Sequence, residues 1–160
     1  MSQLPVTIRR AQPNDAKAIG GLGAKLSYQH VAYDEERFVL PERVNATFER
    51  FFIEQLSKSE VAIAVAELEG DVVGYVFVRV EPESFVDLLG PSTWIHDIYV
   101  EESARGFGIG PALLAAAEAS ARELGSKSVM LTVSPKNERA REIFEEYGFR
   151  LTMQEMRMEL

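Results

Sequence analysis

The chain contains no cysteine, so it has neither a disulfide framework nor a thiolate metal site. It has only two histidines, His30 and His96, far apart in sequence, which argues against a zinc centre. No apolar run approaches the roughly 20 residues needed to span a bilayer. The stretch "MSQLPVTIRR" has no apolar signal core, and a cytoplasmic location is expected. Basic residues are also scarce: 17 Lys and Arg stand against 25 Asp and Glu, a net charge of −8. A general nucleic-acid binder carries a basic surface, so that class is disfavoured. The deficit is sharpest over residues 61–100, where Glu67, Glu69, Asp71, Glu81, Glu83, Asp87 and Asp97 meet only Arg79. This is either a solvated acidic surface or a field that attracts a cation.

What is present suits one globular domain, residues 1–160, with 46% hydrophobic residues to fill a core. "VTIRRA" alternates and predicts an edge strand. "PNDAKAIGGLGAKLSYQH" predicts a helix starting near Asn14 or Asp15. Gly20, Gly21 and Gly23 weaken it, since an interior glycine costs up to about 1 kcal/mol. "YDEERFVLP" reads as a loop. Val44, Phe48, Phe51, Phe52 and Leu56 then recur at helical spacing. Two β-rich runs flank Glu69-Gly70-Asp71, a hairpin signal. After the loop "EPESFVDLLGPST" come the strand "WIHDIYV", a helix ending at Gly125, and the strand "KSVMLTV". A second helix carries Ala140, Ile143, Phe144 and Tyr147 on one face and stops at Gly148. "EMRMEL" alternates and predicts a closing strand with Met156, Met158 and Leu160 in the core. The order β-α-α-β-β-β-α-β-α-β predicts an α+β domain, a mixed sheet with helices on its faces.

The chemistry-bearing feature is the turn "EESARGFGIGPALL". A helix N-terminus offers unsatisfied N–H donors and about half a positive charge, which suits an anion. Arg105, Gly106, Phe107, Gly108, Ile109 and Gly110 supply a glycine-rich approach, and Pro111 suits the first helical turn. A Walker loop is excluded because Pro111-Ala112 replaces its Lys-Ser/Thr pair. A dinucleotide fingerprint fails from Gly106 at Pro111, and from Gly108 at Leu113. The pattern R/Q-x-x-G-x-G/A is matched by Arg105, Gly108 and Gly110.

In that context the chain resembles the GNAT superfamily of acyl-CoA-dependent N-acetyltransferases. "IHDIYVEESARGFGIGPALL" is similar to the family's fourth strand, pyrophosphate loop and following helix. "LTVSPKNERAREIFEEYGF" is similar to its second signature, N-x-x-A-x-x-hydrophobic-aromatic-x-x-x-G-F. The resemblance implies a mostly antiparallel twisted sheet and acetyl-CoA as acyl donor to an amine, with no nucleic acid or membrane involved. It also allows a homodimer. Around Ile98, Tyr99 and Val100, it implies strand-like pairing with the pantetheine arm. The loop from Arg105 to Gly110 would cradle the pyrophosphate. Asn137 would meet the cofactor, cap its helix, or do both.

The same resemblance places a tyrosine, the family's usual thiolate acid, where this chain has Phe144, a candidate cofactor contact. Tyr147 is then a packing or rim residue. A non-catalytic acyl-CoA-binding or sensing module is therefore the alternative reading. His96 stands where several relatives have a glutamate, and is either a proton relay near neutral pH or a partly buried strand histidine. Asp97 orients a water or anchors the strand. Strict alternation puts these two on opposite sides of the sheet, so a bulge is required for both to face one amine. The resemblance implies that "YQHVAYDEERF" and "EPESFVDLLGPST" shape the acceptor pocket, with Tyr28, His30, Tyr33, Asp34, Glu35, Glu81, Glu83 and Asp87 as candidates.

Overall fold

A computed structural model describes residues 6–160. Residues 1–5, part of the N-terminal stretch analysed above, lie outside them. Five strands form one sheet in the order β1-β2-β3-β4-β5. They are β1 (Val6–Arg10), β2 (Val61–Leu68), β3 (Asp71–Glu81), β4 (Ser92–Val100) and β5 (Val129–Leu131). The first four pair antiparallel and β5 joins β4 in parallel. The helices are α1 (Ala16–Tyr33), α2 (Val44–Gln55), α3 (Ile109–Glu123) and α4 (Glu138–Tyr147).

The sequence of β2 explains the two layers. Val61, Ile63 and Val65 point into a core shared with Ile19, Leu22, Phe52, Tyr75 and Phe77, under α1 and α2. Ala62, Ala64 and Ala66 point the other way, against Leu113, Leu114 and Ala117 of α3. Branched residues fill one face and alanines admit a close helix on the other. Glu69 and Gly70 both have positive φ, 53° and 91°, as a two-residue hairpin turn requires.

The glycines expected to weaken α1 do not end it. A Cβ at Gly20 would lie 2.8 Å from the backbone nitrogen of Glu49, and one at Gly23 would meet Phe48 at 2.9 Å. The helix pays glycine's propensity cost because α2 crosses too closely for a side chain. Tertiary packing outweighs propensity here.

Two expectations are corrected. "KSVMLTV" forms a strand only over Val129–Leu131. "EMRMEL" forms none, and Met156, Met158 and Leu160 are exposed, Met156 by 93%. An alternating pattern gives a half-buried strand only where an edge and an apolar face receive it. No other strand of the described residues pairs with this segment.

Candidate active site

The turn after β4 is built to leave its amides free. Gly106 and Gly108 have φ of 85° and 76°, a region that favours glycine. The first hydrogen bond into α3 runs from the Ala112 N–H to the Gly108 carbonyl, and Pro111 has no N–H. Among the described residues, no backbone carbonyl accepts the N–H groups of residues 106–110. A Cβ built on Gly106, Gly108 or Gly110 would meet nothing within 4 Å. The result is an open row of donors at a helix N-terminus, which fits a pyrophosphate.

The adjoining edge of β4 is open as well. β5 covers only Thr93, Trp94 and Ile95. The Glu101 N–H donates to the Val73 carbonyl, and Gly74 stands opposite Val100. By the alternation of an antiparallel ladder, Ile98 and Val100 turn their N–H and C=O groups away from β3, toward that open edge. Arg105 Nε donates to the Val100 carbonyl at 3.0 Å, and its guanidinium lies 5.6 Å from the centre of the Tyr99 ring. Arg105 thus folds back on the strand. Ile98 N–H, Ile98 C=O and Val100 N–H remain for a ligand. Lys25 Nζ pairs with Glu101 Oε2 at 2.5 Å and ties α1 to the start of this turn.

The bulge that the alternation argument requires is present. Phe77 stands opposite Asp97 but Val78 opposite Ile95, so His96 is an extra residue in β4. Ile95 and Ile98 both join the α3-side core, whereas Tyr99 joins the other. His96 lies over Phe77 with ring centres 5.4 Å apart, and Asp97 Oδ2 accepts a hydrogen bond from Tyr75 OH at 3.0 Å. Tyr75 and Phe77 belong to the α1/α2 layer, so His96 and Asp97 share that face.

Their environments differ. His96 Nε2 lies 2.7 Å from Glu81 Oε1, and Arg79 Nε donates to the same oxygen at 2.6 Å. Burial works against the Glu81 charge, but these two partners outweigh it and hold its carboxyl below the ordinary range. Burial pushes the Asp97 carboxyl up, against the opposing pull of the Tyr75 hydrogen bond and the His96 charge. Burial also raises the Tyr75 phenol, which stays protonated as a donor.

Near the end of α1, Tyr28, Val31, Ala32, Tyr33, Asp34, Glu35, Glu36 and Lys136 line a cleft of about 590 Å³. Lys136 Nζ donates to the Tyr33 carbonyl at 2.6 Å and joins the α1 end to the loop before α4. Asp34 Oδ1 accepts the N–H groups of Glu36 and Arg37, which shapes the turn. His30 stacks on Phe38 at 4.9 Å, and burial followed by the Arg37 charge lowers its pKa. His30 is therefore a packed, neutral ring. Glu83 and Asp87 lie in the loop before β4, where Asp87 accepts from Ser84 Oγ at 2.5 Å.

The α4 residues divide in the same way. Asn137 Oδ1 accepts the Ala140 N–H at 3.2 Å, the capping role expected of it. Phe144 is buried in the α3-side core, edge-on to Phe149. Tyr147 OH donates to Glu118 Oε2 on α3 at 2.8 Å, so its hydroxyl braces two helices.

Tyr75 went unnoticed in the sequence. Its signal is a tyrosine in the apolar run "VVGYVFV", since a buried hydroxyl needs a partner. The Glu81–His96 contact had no such signal, because it depends on the bulge.

The comparisons with known proteins agree with this geometry. The family model described as "Acetyltransferase (GNAT) family" matches residues 27–149. An N-alpha-acetyltransferase of Sulfurisphaera tokodaii is 35% identical over 120 residues, covering 71% of this chain and 70% of that protein. A variant of the BH1408 protein from Bacillus halodurans has the same fold, with a TM-score of 0.84 and 21% identity over 96% of this chain and 99% of that one. Aminoglycoside N-acetyltransferase AAC(6')-Iy, solved with a CoA-linked bisubstrate analogue, also shares the fold. Its TM-score is 0.77 and its identity 18%, over 98% of each chain. With the family model spanning the turn, the open strand edge and the bulge alike, this chain belongs to the GNAT acetyltransferase family.

Proposed function

We propose that this chain carries out acetyl transfer from acetyl-CoA to an amine, with His96 as the proton acceptor and Asp97 as the group that orients the amine. Acetyl-CoA supplies the activated thioester that the amine attacks. The free amides of residues 106–110 hold its pyrophosphate, and Ile98 and Val100 pair with its pantetheine arm. Phe107, 60% exposed beside those amides, flanks the cradle.

A peptide α-amine has a pKa of about 8 and a lysine-like amine about 10, so either reaches the site largely as a cation and must lose a proton before it attacks. The ionised Glu81 accepts from Nε2–H, which leaves Nδ1 as the atom that takes the proton from the amine. Glu81 then faces the imidazolium that forms. Asp97 presents its second oxygen to the amine while Tyr75 fixes the first. The N–H groups on the open edge of β4 face negative charge developing on the acyl oxygen. A thiolate leaves with a conjugate-acid pKa of about 8.5, so Phe144 in place of a tyrosine is compatible with turnover.

The observation that carries this reading is the bulge at His96. Two further features support a cationic acceptor: the run Asp34, Glu35 and Glu36 along the cleft, and the similarity to a relative named an N-alpha-acetyltransferase. In this reading the acceptor is a peptide α-amine or another small cationic amine, and the enzyme works in the cytoplasm. A thiol-release assay with acetyl-CoA across peptides with free N-termini, polyamines and aminoglycosides tests it. Tight CoA binding with no turnover on any of them supports the sensor reading instead.

A further inference from the structure

The register of β3 and β4 does not by itself aim Glu81 at His96. Glu81, the last residue of β3, stands opposite Ser92, whereas the bulge holds His96 at the level of Phe77 and Val78. From Val78 to Glu81 is about 10 Å of strand. The two side chains nevertheless meet at 2.7 Å. They are 32% and 29% exposed, so water competes for the contact. A glutamate at a strand end also gives up rotamer freedom to hold it.

Arg79 lies between the two levels. Alternation puts Phe77, Arg79 and Glu81 on the α1/α2 face of β3, and Arg79 stands opposite Trp94. Its Nε donates at 2.6 Å to Glu81 Oε1, the same oxygen that meets His96 Nε2. The guanidinium is planar and its N–H directions are fixed, so this bond turns the carboxylate back along the strand toward the bulge. Burial opposes the Glu81 charge, and the Arg79 bond offsets it more than the His96 bond does.

We propose that Arg79 is a positioning residue of this site: it holds the Glu81 carboxylate against His96 Nε2. The role rests on the reading of His96 as proton acceptor, because it leaves Nδ1 free to take the proton of the amine. Arg79 acts through Glu81 and not on the reacting atoms.

Arg79→Met keeps an apolar stem and removes the donor. In a crystal structure of this variant without substrate, Glu81 should leave His96 Nε2 for water, beyond hydrogen-bond distance. In the thiol-release assay kcat should fall about tenfold, with acetyl-CoA affinity unchanged. Arg79→Lys should recover most of that loss, because its Nζ lies one atom further out than Nε and donates to the same oxygen. In a Glu81→Gln background Arg79→Met should cost nothing further, as for two residues on one path. A Glu81 that stays on His96 in Arg79→Met would overturn the proposal. So would an equal loss of kcat with and without the Glu81 carboxylate, or a lysine that restores nothing. Release of Glu81 with kcat intact would support the hold by Arg79 and remove His96 as the proton acceptor.

Discussion

Tyr75 on β3 donates its hydroxyl to Asp97 on β4, 3.0 Å away, and this pair joins the hydrophobic core to the reaction face. The Asp97 carboxyl is held above its ordinary range by burial, which the Tyr75 bond only partly offsets. In the folded state it therefore keeps its proton to a higher pH than in the unfolded chain. Stability falls as pH rises from the ordinary carboxylate value through the folded one, and the full deficit applies above both. Asp97→Asn removes the deficit and keeps an acceptor for Tyr75. Its Tm should exceed that of the wild type at pH 8, by about 2–4 °C for each kcal/mol relieved. The gain should fade as pH drops to about 3.5, below the ordinary carboxylate value. Calorimetry at the two pH values checks this. An equal shift at both would mean that charge is not the cause.

Glu81 bears on His96 through one hydrogen bond of 2.7 Å. Glu81→Gln keeps the size but removes the charge facing the imidazolium. A hydrogen bond to a charged group is worth about 1.5–3 kcal/mol, so kcat should fall by up to about 10- to 100-fold while acetyl-CoA affinity is unchanged. Steady-state kinetics beside CoA calorimetry separates the two. A rise in KM with kcat intact would make Glu81 a binding residue only.

The acidic segment shows how far charge counting reaches. Its seven acids were visible in the sequence as one field. In the structure Glu67 pairs with Arg9 at 2.8 Å, Glu81 with Arg79 and His96, and Asp97 accepts a hydrogen bond from Tyr75. The fold and the glycine turn were legible because their signals are local: alternation, helical spacing, and glycines before a helix. The bulge was not, since register is set by which β3 residue meets which β4 residue. The exposed 149–160 segment was misread because periodicity reports a face and not what covers it.

Gly110 offers a cleaner test of the pyrophosphate cradle than Gly108. Gly108→Val would strain a backbone at φ 76°, which confounds folding with binding. Gly110 lies in the first turn of α3 without positive φ, and a Cβ there meets nothing within 4 Å. Gly110→Ala should keep or raise the Tm, since alanine is favoured over glycine by up to about 1 kcal/mol in a helix. It should weaken acetyl-CoA binding in calorimetry at least tenfold by placing a methyl group among the donors. Unchanged affinity would move the pyrophosphate elsewhere.

Gly20 and Gly21 are neighbours with opposite expected outcomes. Gly20→Ala drives a Cβ into the Glu49 backbone at 2.8 Å, and overpacking of this kind costs about 1–3 kcal/mol. Gly21→Ala meets nothing within 4 Å and should stabilise by up to about 1 kcal/mol. Urea denaturation of both variants reads the difference. Equal effects would contradict the close α1–α2 crossing.

The central claim is that the β4 bulge gives His96 to the acceptor amine. It is tested most directly by acetyl-CoA-dependent thiol release with the best amine of the panel, comparing the wild type with His96→Ala. The account predicts a loss in kcat of about 10²- to 10⁴-fold, with acetyl-CoA affinity and Tm nearly unchanged. Full activity in His96→Ala would contradict it.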